Sequence, residues 1–230
     1  MKKAIFVSLG ANDRMTVDGR TVLAAKAGVS PAAVAYLADL AEHALHPEDG
    51  VIADRFAVGD GIVVGCSRPR AVQALLSFAG LTWQEWPIEW VSLPFDRETL
   101  KRGYGVPWYP VIDHARCAGC GTCLDYCLFS VYGRDKKGLV RVQTPLNCKT
   151  GCPACARLCP EAAVIFPFCE EAELNGEISQ PARRSREMLA EVLGDDPMRV
   201  LADRRKKKQL IDPAKFEQAE KDRILYSGVL

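Results

Sequence analysis

The chain has 230 residues, of which 48% are hydrophobic, and this length allows one ordinary domain and a smaller second one. The formal net charge of +1 indicates no particular charged partner. No apolar run approaches the roughly 18 residues that cross a bilayer, so the sequence predicts no membrane span.

The apolar segment at the amino terminus is too short for a signal peptide. Asn12, Asp13 and Arg14 follow it directly, and no small-residue cleavage site is in view. We therefore expect a cytoplasmic protein, whose ten cysteines serve metal binding or catalysis rather than structural disulfides. Eight of the ten lie between Cys117 and Cys159, which predicts that this region carries the chemistry.

Residues 1–105 have the pattern of a small α/β domain. Short apolar segments predict three strands, at 4–9, 61–65 and 88–93. A helix is predicted to begin at Pro31, after a capping serine, and to run to Leu45 with its apolar residues on one stripe. A second helix is predicted from Pro69 to Gly80. Strands that alternate with helices predict a small parallel sheet with right-handed crossovers.

Two changes of composition divide the rest of the chain. Prolines and glycines in 94–110 are typical of a linker, and we place the domains at 1–105, 106–169 and 170–230. The last segment is predicted to be a charged, helical or extended tail that wraps the body or a partner. Its basic run, 204–208, has no aromatic platform or groove-reading motif beside it, so we expect a solvated helix face and no nucleic-acid binding.

The eight clustered cysteines form two runs of similar spacing. The first is Cys117-x2-Cys120-x2-Cys123-x3-Cys127, and the second is Cys148-x3-Cys152-x2-Cys155-x3-Cys159, followed by Pro160. Three cysteines at this spacing wrap one face of an iron–sulfur cube, and the fourth points at the other cluster. We therefore predict two [4Fe–4S] clusters, one held by Cys117, Cys120, Cys123 and Cys159 and the other by Cys148, Cys152, Cys155 and Cys127. Zinc is the alternative, but zinc ribbons use two Cys-x2-Cys pairs that lie farther apart.

The residues between the cysteines are compatible with such clusters. Gly119, Gly121 and Gly151 let the backbone approach the sulfurs closely. Four segments are predicted to be strands that pair in twos, 131–134 with 139–143 and 111–113 with 163–166. The first pair is a hairpin whose turn has Gly138 at its positive-φ position.

Residues 111–167 resemble the bacterial 2[4Fe–4S] ferredoxins, which are electron carriers with a pseudo-twofold fold. The resemblance implies an α+β ferredoxin-like domain that passes electrons through two clusters. Leu128 stands where that family usually has proline, and Lys149-Thr150-Gly151 puts three residues between two ligands where the family has two. Neither departure removes a ligand, and both should alter the surroundings of the clusters.

A shorter stretch, 63–70, is similar to a cysteine–serine–proline–arginine turn of iron–sulfur flavoproteins of the heterodisulfide reductase type. Residues 1–65 contain no cysteine to accompany this turn, so we expect neither a further cluster nor flavin there. Cys66, beside Arg68 and Arg70, is either a redox-active thiol or a small buried residue, and the second interpretation agrees better with the usual burial of cysteine.

The other single residues have ordinary interpretations. Cys169 lies outside both runs, and the eight ligand positions are filled without it. His43 and His46 are expected at the surface. His114 is expected in a loop near the first cluster, where it could tune the potential of that cluster.

These patterns favour an electron-transfer iron–sulfur protein, or such a subunit of a larger oxidoreductase, with a redox protein as its partner. No side chain is assigned a catalytic role. The alternative is a redox enzyme in which the N-terminal domain is catalytic, through Cys66 or a bound small molecule, and the cysteine domain is its internal electron relay. A third hypothesis is a redox sensor whose clusters control partner binding through the tail.

Overall fold

The computed structural model describes residues 2–10, 16–56, 61–94 and 107–178. Contacts divide the chain into a unit of Met1–Arg184 and a second unit of Ser185–Leu230. The second unit lies outside the described residues, and so do the basic run and nearly all of the predicted tail and linker. The domain boundaries proposed from the sequence stay predictions.

Four parallel strands form the sheet of the N-terminal part. They are β1 (Lys3–Val7), β2 (Ala35–Leu37), β3 (Ile62–Cys66) and β4 (Ile88–Ser92), in the order β2-β1-β3-β4. Strand β3 is buried at every position, which agrees with its continuous apolar sequence. The predicted α/β class, a parallel sheet with helices, is therefore confirmed.

Four helices accompany this sheet. They are α1 (Val17–Ala27), α2 (Leu40–Leu45), α3 (Val51–Phe56) and α4 (Pro69–Phe78). Helix α4 begins at a proline, as predicted, and buries its apolar stripe in the core. Helix α1 begins after Thr16, whose side chain accepts a hydrogen bond from the Gly19 amide at 3.0 Å. Its Leu23 packs so tightly on Gly65 that a Cβ at Gly65 would overlap it.

The helix predicted from Pro31 to Leu45 is wrong. The structure has a 3-10 turn at Pro31–Ala33, then strand β2, and only then the short helix α2. Between β2 and α2, Asp39 adopts a left-handed conformation with φ 50°, which interrupts any continuous helix. Pairing of β2 with the buried strand β1 outweighs the helical spacing of the apolar residues, because it satisfies the backbone groups at the edge of the sheet.

The cysteine region has two antiparallel strand pairs and two short helices. Strand β5 (Val111–Ile112) pairs with β8 (Val164–Ile165), and β6 (Tyr132–Arg134) pairs with β7 (Val140–Val142). Both predicted pairings are confirmed, and Gly138 in the turn between β6 and β7 has φ 79°. Helices α5 (Thr122–Tyr126) and α6 (Ala154–Arg157) follow the start of each cysteine run and pack on each other.

The cysteine region shares a core with the parallel sheet. Tyr109, Val111 and Ile165 belong to the same buried apolar cluster as the residues of β1 and β3. On α4, Arg70 donates hydrogen bonds to the Asp113 carboxylate at 2.8 Å and to the carbonyl of Ala162. Among the described residues, no helix is long and apolar enough to cross a membrane.

Part of the chain itself lies beyond the carboxyl ends of β1 and β3. The Phe168 ring lies against Gly10, where a Cβ would stand 2.8 Å from the ring, and Arg68 donates to the carbonyl of Pro167. In open parallel sheets this crevice, where the strand order reverses, is the usual position of a ligand. In this chain the segment that follows the cysteine runs lies there instead.

Candidate metal centres

The first cavity in the cysteine region has sulfurs from both runs around it. Its lining includes Cys117, Cys120, Cys123 and Cys159. Ile112, Val140 and Val164 supply apolar walls from strands β5, β7 and β8. Helix α5 holds one of these cysteines, two precede it in the loop, and the fourth follows α6.

The second cavity has the complementary set of cysteines. Its lining includes Cys127, Cys148, Cys152 and Cys155. Val131 and Tyr132 line it from the start of strand β6, and Pro110 lines it from just before β5. Each cavity therefore receives three cysteines from one run and the last cysteine of the other run.

The exchange of the last cysteine of each run between the two cavities follows from the packing of helices α5 and α6. Cys127 caps the carboxyl end of α5, and Cys159 lies just beyond α6. Because the two helices pack on each other, the cysteine after each helix reaches the cavity of the other half. The structure brings together all eight cysteines singled out in the sequence, in the same two groups of four.

Burial and neighbouring sulfurs raise the pKa of several of these thiols. The pKa of Cys123 rises to about 12, first through burial and then through the sulfurs of Cys159 and Cys155. The pKa of Cys148 also rises to about 12, through burial and then through Cys155 and Cys127. Such a group of thiols ionises together only when positive charge is present among them, so the donor set suits a cationic metal cluster. The residues present therefore fit iron–sulfur clusters in their chemistry.

The arrangement differs from that of a single-ion site. Tetrahedral zinc would need four ligands at about 2.0–2.3 Å from one point. Within the described ranges, no group of three His, Cys, Asp or Glu side chains is placed to hold one metal ion. The sulfurs stand around the walls of the two cavities instead.

Hydrogen-bonding groups contact cysteine sulfurs in both cavities. The Tyr132 hydroxyl donates to Cys155 Sγ at 3.0 Å, and the Ala163 amide donates to Cys159 Sγ at 3.2 Å. Thr122 Oγ1 lies 3.3 Å from Cys120 Sγ. Burial, and then Cys155, raise the pKa of Tyr132 well above its usual value, so its hydroxyl stays protonated and remains a donor. Sequence reasoning missed Tyr132, because only the paired hairpin brings it to the second run.

Gly121 shows why glycine is needed beside the sulfurs. It has φ 81°, and a Cβ there would stand 2.6 Å from Arg134 Nη2. Gly119 and Gly151 also have positive φ, at 70° and 80°. The tight loops before α5 and α6 therefore depend on these three positions.

The single residues from the sequence lie apart from both cavities. Cys66 is completely buried in the sheet core, which favours the packing interpretation. Cys169 is buried too, and its carbonyl accepts a hydrogen bond from Asn175. His46 is exposed and lies near two glutamates, whereas His43 is half-buried, unlike the surface position expected for it.

His114 lies beside the first cavity rather than in it. Its Nε2 is 2.7 Å from Arg141 Nη1. Burial, and then the charge of Arg141, lower its pKa, which keeps the imidazole neutral. Because the guanidinium only donates, Nε2 accepts and the proton resides on Nδ1.

Comparison with known proteins gives one similarity of note. The chain is 39% identical over 74 residues to an uncharacterized ferredoxin of Methanocaldococcus jannaschii, a stretch that is 32% of this chain and 50% of that protein. The chain thus matches about half the length of this curated relative. No family profile and no solved structure matches. The similarity supports a ferredoxin-like module within the chain.

Proposed function

We propose that the chain is an electron-transfer iron–sulfur protein, or such a subunit of a larger oxidoreductase, with two [4Fe–4S] clusters. The ligands of cluster one would be Cys117, Cys120, Cys123 and Cys159. The ligands of cluster two would be Cys127, Cys148, Cys152 and Cys155. When bound, each cluster supplies a one-electron carrier, and the protein supplies its position and surroundings.

One observation carries the proposal: two separate cavities are each lined by four cysteines, with the last cysteine of each run exchanged. This is the ligand pattern of two-cluster ferredoxins, in which the fourth cysteine of a run ligates the other cluster. The similarity to a ferredoxin gives independent support. A reducing compartment such as the cytoplasm would keep these thiols available for metal.

The residues around the cavities would control solvent and electron access. Apolar side chains line both cavities. Cys123, Cys155 and Cys159 are buried, whereas the other five cysteines of the two runs are partly or fully exposed. Helices α5 and α6, which bring Cys123 and Cys155 to the two cavities, pack on each other, so the two clusters would lie close together. Cys120 is exposed on one side, and Leu128 is 71% exposed beside the other cavity. A redox partner would dock near one of these two openings.

The alternative of a catalytic N-terminal domain has less support. It would use Cys66 or a ligand at the carboxyl edge of the sheet, but this thiol is completely buried. The edge beside Gly10 holds the chain's own Phe168. Both observations favour a supporting role for the parallel sheet in this chain.

Metal analysis of anaerobically prepared protein tests the proposal. Two cubes predict about eight irons and eight sulfides per chain, with EPR signals from both centres after reduction. About four irons, or zinc in a colourless protein, would contradict it.

Single Cys→Ser variants test the exchange of ligands. Cys127→Ser should weaken the same EPR signal as Cys148→Ser, and Cys159→Ser the same signal as Cys117→Ser. The matched control is Cys169→Ser, which is buried nearby but lines neither cavity and should leave both signals. If Cys127→Ser and Cys117→Ser removed the same signal, the exchanged assignment would be wrong.

A further inference from the structure

A third cavity, of about 530 Å³, lies between the end of α4 and strands β5 and β7. This volume is within the usual range for small-molecule sites. Phe78 and Leu81 line it from the α4 side, and Ile112 and Leu139 line it from the cysteine region. Its walls therefore combine apolar side chains from two distant parts of the chain, and no cysteine lines it.

The cavity contains one formal charge. Among its described lining residues, Arg141 is the only charged side chain, because His114 is kept neutral and no carboxylate takes part. The side chain of Arg141 is 40% exposed, and its guanidinium pairs with Asp135, at 3.0 Å from Nε, and contacts His114, which also lines the cavity, at 2.7 Å from Nη1. In the described part of the chain, these contacts leave the Nη2 edge as the donor for a further acceptor. A fixed guanidinium at an apolar wall is suited to a carboxylate.

The cavity adjoins cluster one through shared walls. Ile112 lines both this cavity and the one around Cys117. Along β7, Val140 lines the cavity around Cys117, whereas Arg141 and Val142 line the third cavity. A molecule bound here would be separated from cluster one by a single layer of side chains.

We propose that this cavity binds a small organic anion that consists of a carboxylate on an apolar body. The carboxylate accepts hydrogen bonds from Arg141, and the apolar body packs on Phe78, Ile112 and Leu139. Thr82 and Gln84 line the site and are exposed, so they mark its rim on the side that is open to solvent. The site goes beyond electron transfer, and the binding it predicts does not depend on how the cysteines share their metal.

Calorimetric titration of the full chain, prepared anaerobically, tests the proposal. The probe is benzoate, compared with benzyl alcohol, which has the same body without charge, and with inorganic phosphate, which has charge without the body. Benzoate should bind once per chain with a dissociation constant in the millimolar range expected for so small a ligand. The other two compounds should bind at least about tenfold more weakly.

Two variants with matched controls locate the binding. Arg141→Gln should weaken benzoate at least about tenfold, whereas Arg134→Gln, on the neighbouring strand outside the cavity, should not change it. Thr82→Trp should block the rim, and Glu85→Trp, exposed in the same turn but outside the lining, should not. The thermal unfolding midpoint and visible absorption of each variant report whether it is folded.

The outcomes decide the proposal. Benzoate binding that Arg141→Gln weakens at least about tenfold and Thr82→Trp blocks supports the proposal. Because Thr82 is exposed, its variant allows the test even if Arg141→Gln fails to fold. Benzoate that does not saturate, or that binds Thr82→Trp as well as the unaltered chain, overturns it. Equal binding of benzyl alcohol or of phosphate overturns the assignment of a carboxylate on an apolar body.

Discussion

The contact between Tyr132 and Cys155 makes a measurable prediction about cluster two. Tyr132→Phe keeps the ring, which is 5% exposed, and removes only the hydroxyl that donates to Cys155 Sγ at 3.0 Å. A donor to cluster sulfur stabilises the state with more negative charge, which is the reduced state. The substitution should therefore lower the reduction potential of that cluster and leave the other nearly unchanged.

The magnitude follows from the strength of the bond. A hydrogen bond to a charged acceptor contributes roughly 1.5–3 kcal/mol, and we assign about 1 kcal/mol of this to the added electron. A tenfold change in equilibrium is about 1.4 kcal/mol and, for one electron, about 59 mV. Tyr132→Phe should thus lower the potential by about 40 mV.

Anaerobic EPR-monitored redox titration is the assay, since it follows each centre separately. Thr122→Val is the matched control, because its hydroxyl lies 3.3 Å from the exposed sulfur of Cys120 at the other cavity. Thr122→Val should shift the reduction potential of cluster one, by less than Tyr132→Phe shifts that of cluster two. An unchanged or raised potential in Tyr132→Phe would refute the reasoning, and so would a shift in the signal that Cys159→Ser removes.

Three further predictions concern stability. Arg70→Met should lower the free energy of unfolding in guanidinium by about 2–3 kcal/mol, because it leaves a nearly buried carboxylate unpaired, whereas Arg157→Gln, in a half-exposed pair, should cost under about 1 kcal/mol. Gly65→Ala should cost about 1–3 kcal/mol by overlapping Leu23, and the double variant with Leu23→Ala should show a favourable coupling in the same assay. The lowered pKa of His114 means that the unfolded chain takes up a proton first, so stability should fall as pH drops below 6.5, and His114→Gln should reduce this slope in unfolding midpoints measured across pH 5–8.

Local patterns in the sequence were sufficient for much of the fold. The apolar run of β3 and the proline at the start of α4 predicted their elements, and Gly138 marked the hairpin correctly. The cysteine spacing predicted two groups of four because three of the four cysteines in each group come from one short local run. These features are determined by residues close together in the sequence, so local patterns are enough to predict them.

Other elements depend on contacts between distant residues. Helix α1 buries only Gly19, Leu23, Ala24 and Ala27, so it has too few large apolar residues for a clear stripe. Strand β2 has three residues and exists through its pairing with β1. The larger cavity joins Phe78 to Arg141, which are far apart in sequence, and no local pattern signals such a meeting.

The packing of Phe168 on Gly10 restricts the evolution of a ligand site at this edge of the sheet. Doubly wound sheets have acquired many different ligands at the crevice beyond their strands, and a few substitutions there can establish a new one. Here a mutation at Gly10 that reshaped this crevice would first displace the aromatic ring, and with it the segment that returns from the second cysteine run. Substitutions in the loops at this edge of the sheet would therefore also disturb the packing of the cysteine region, which limits how readily a new ligand site could arise there.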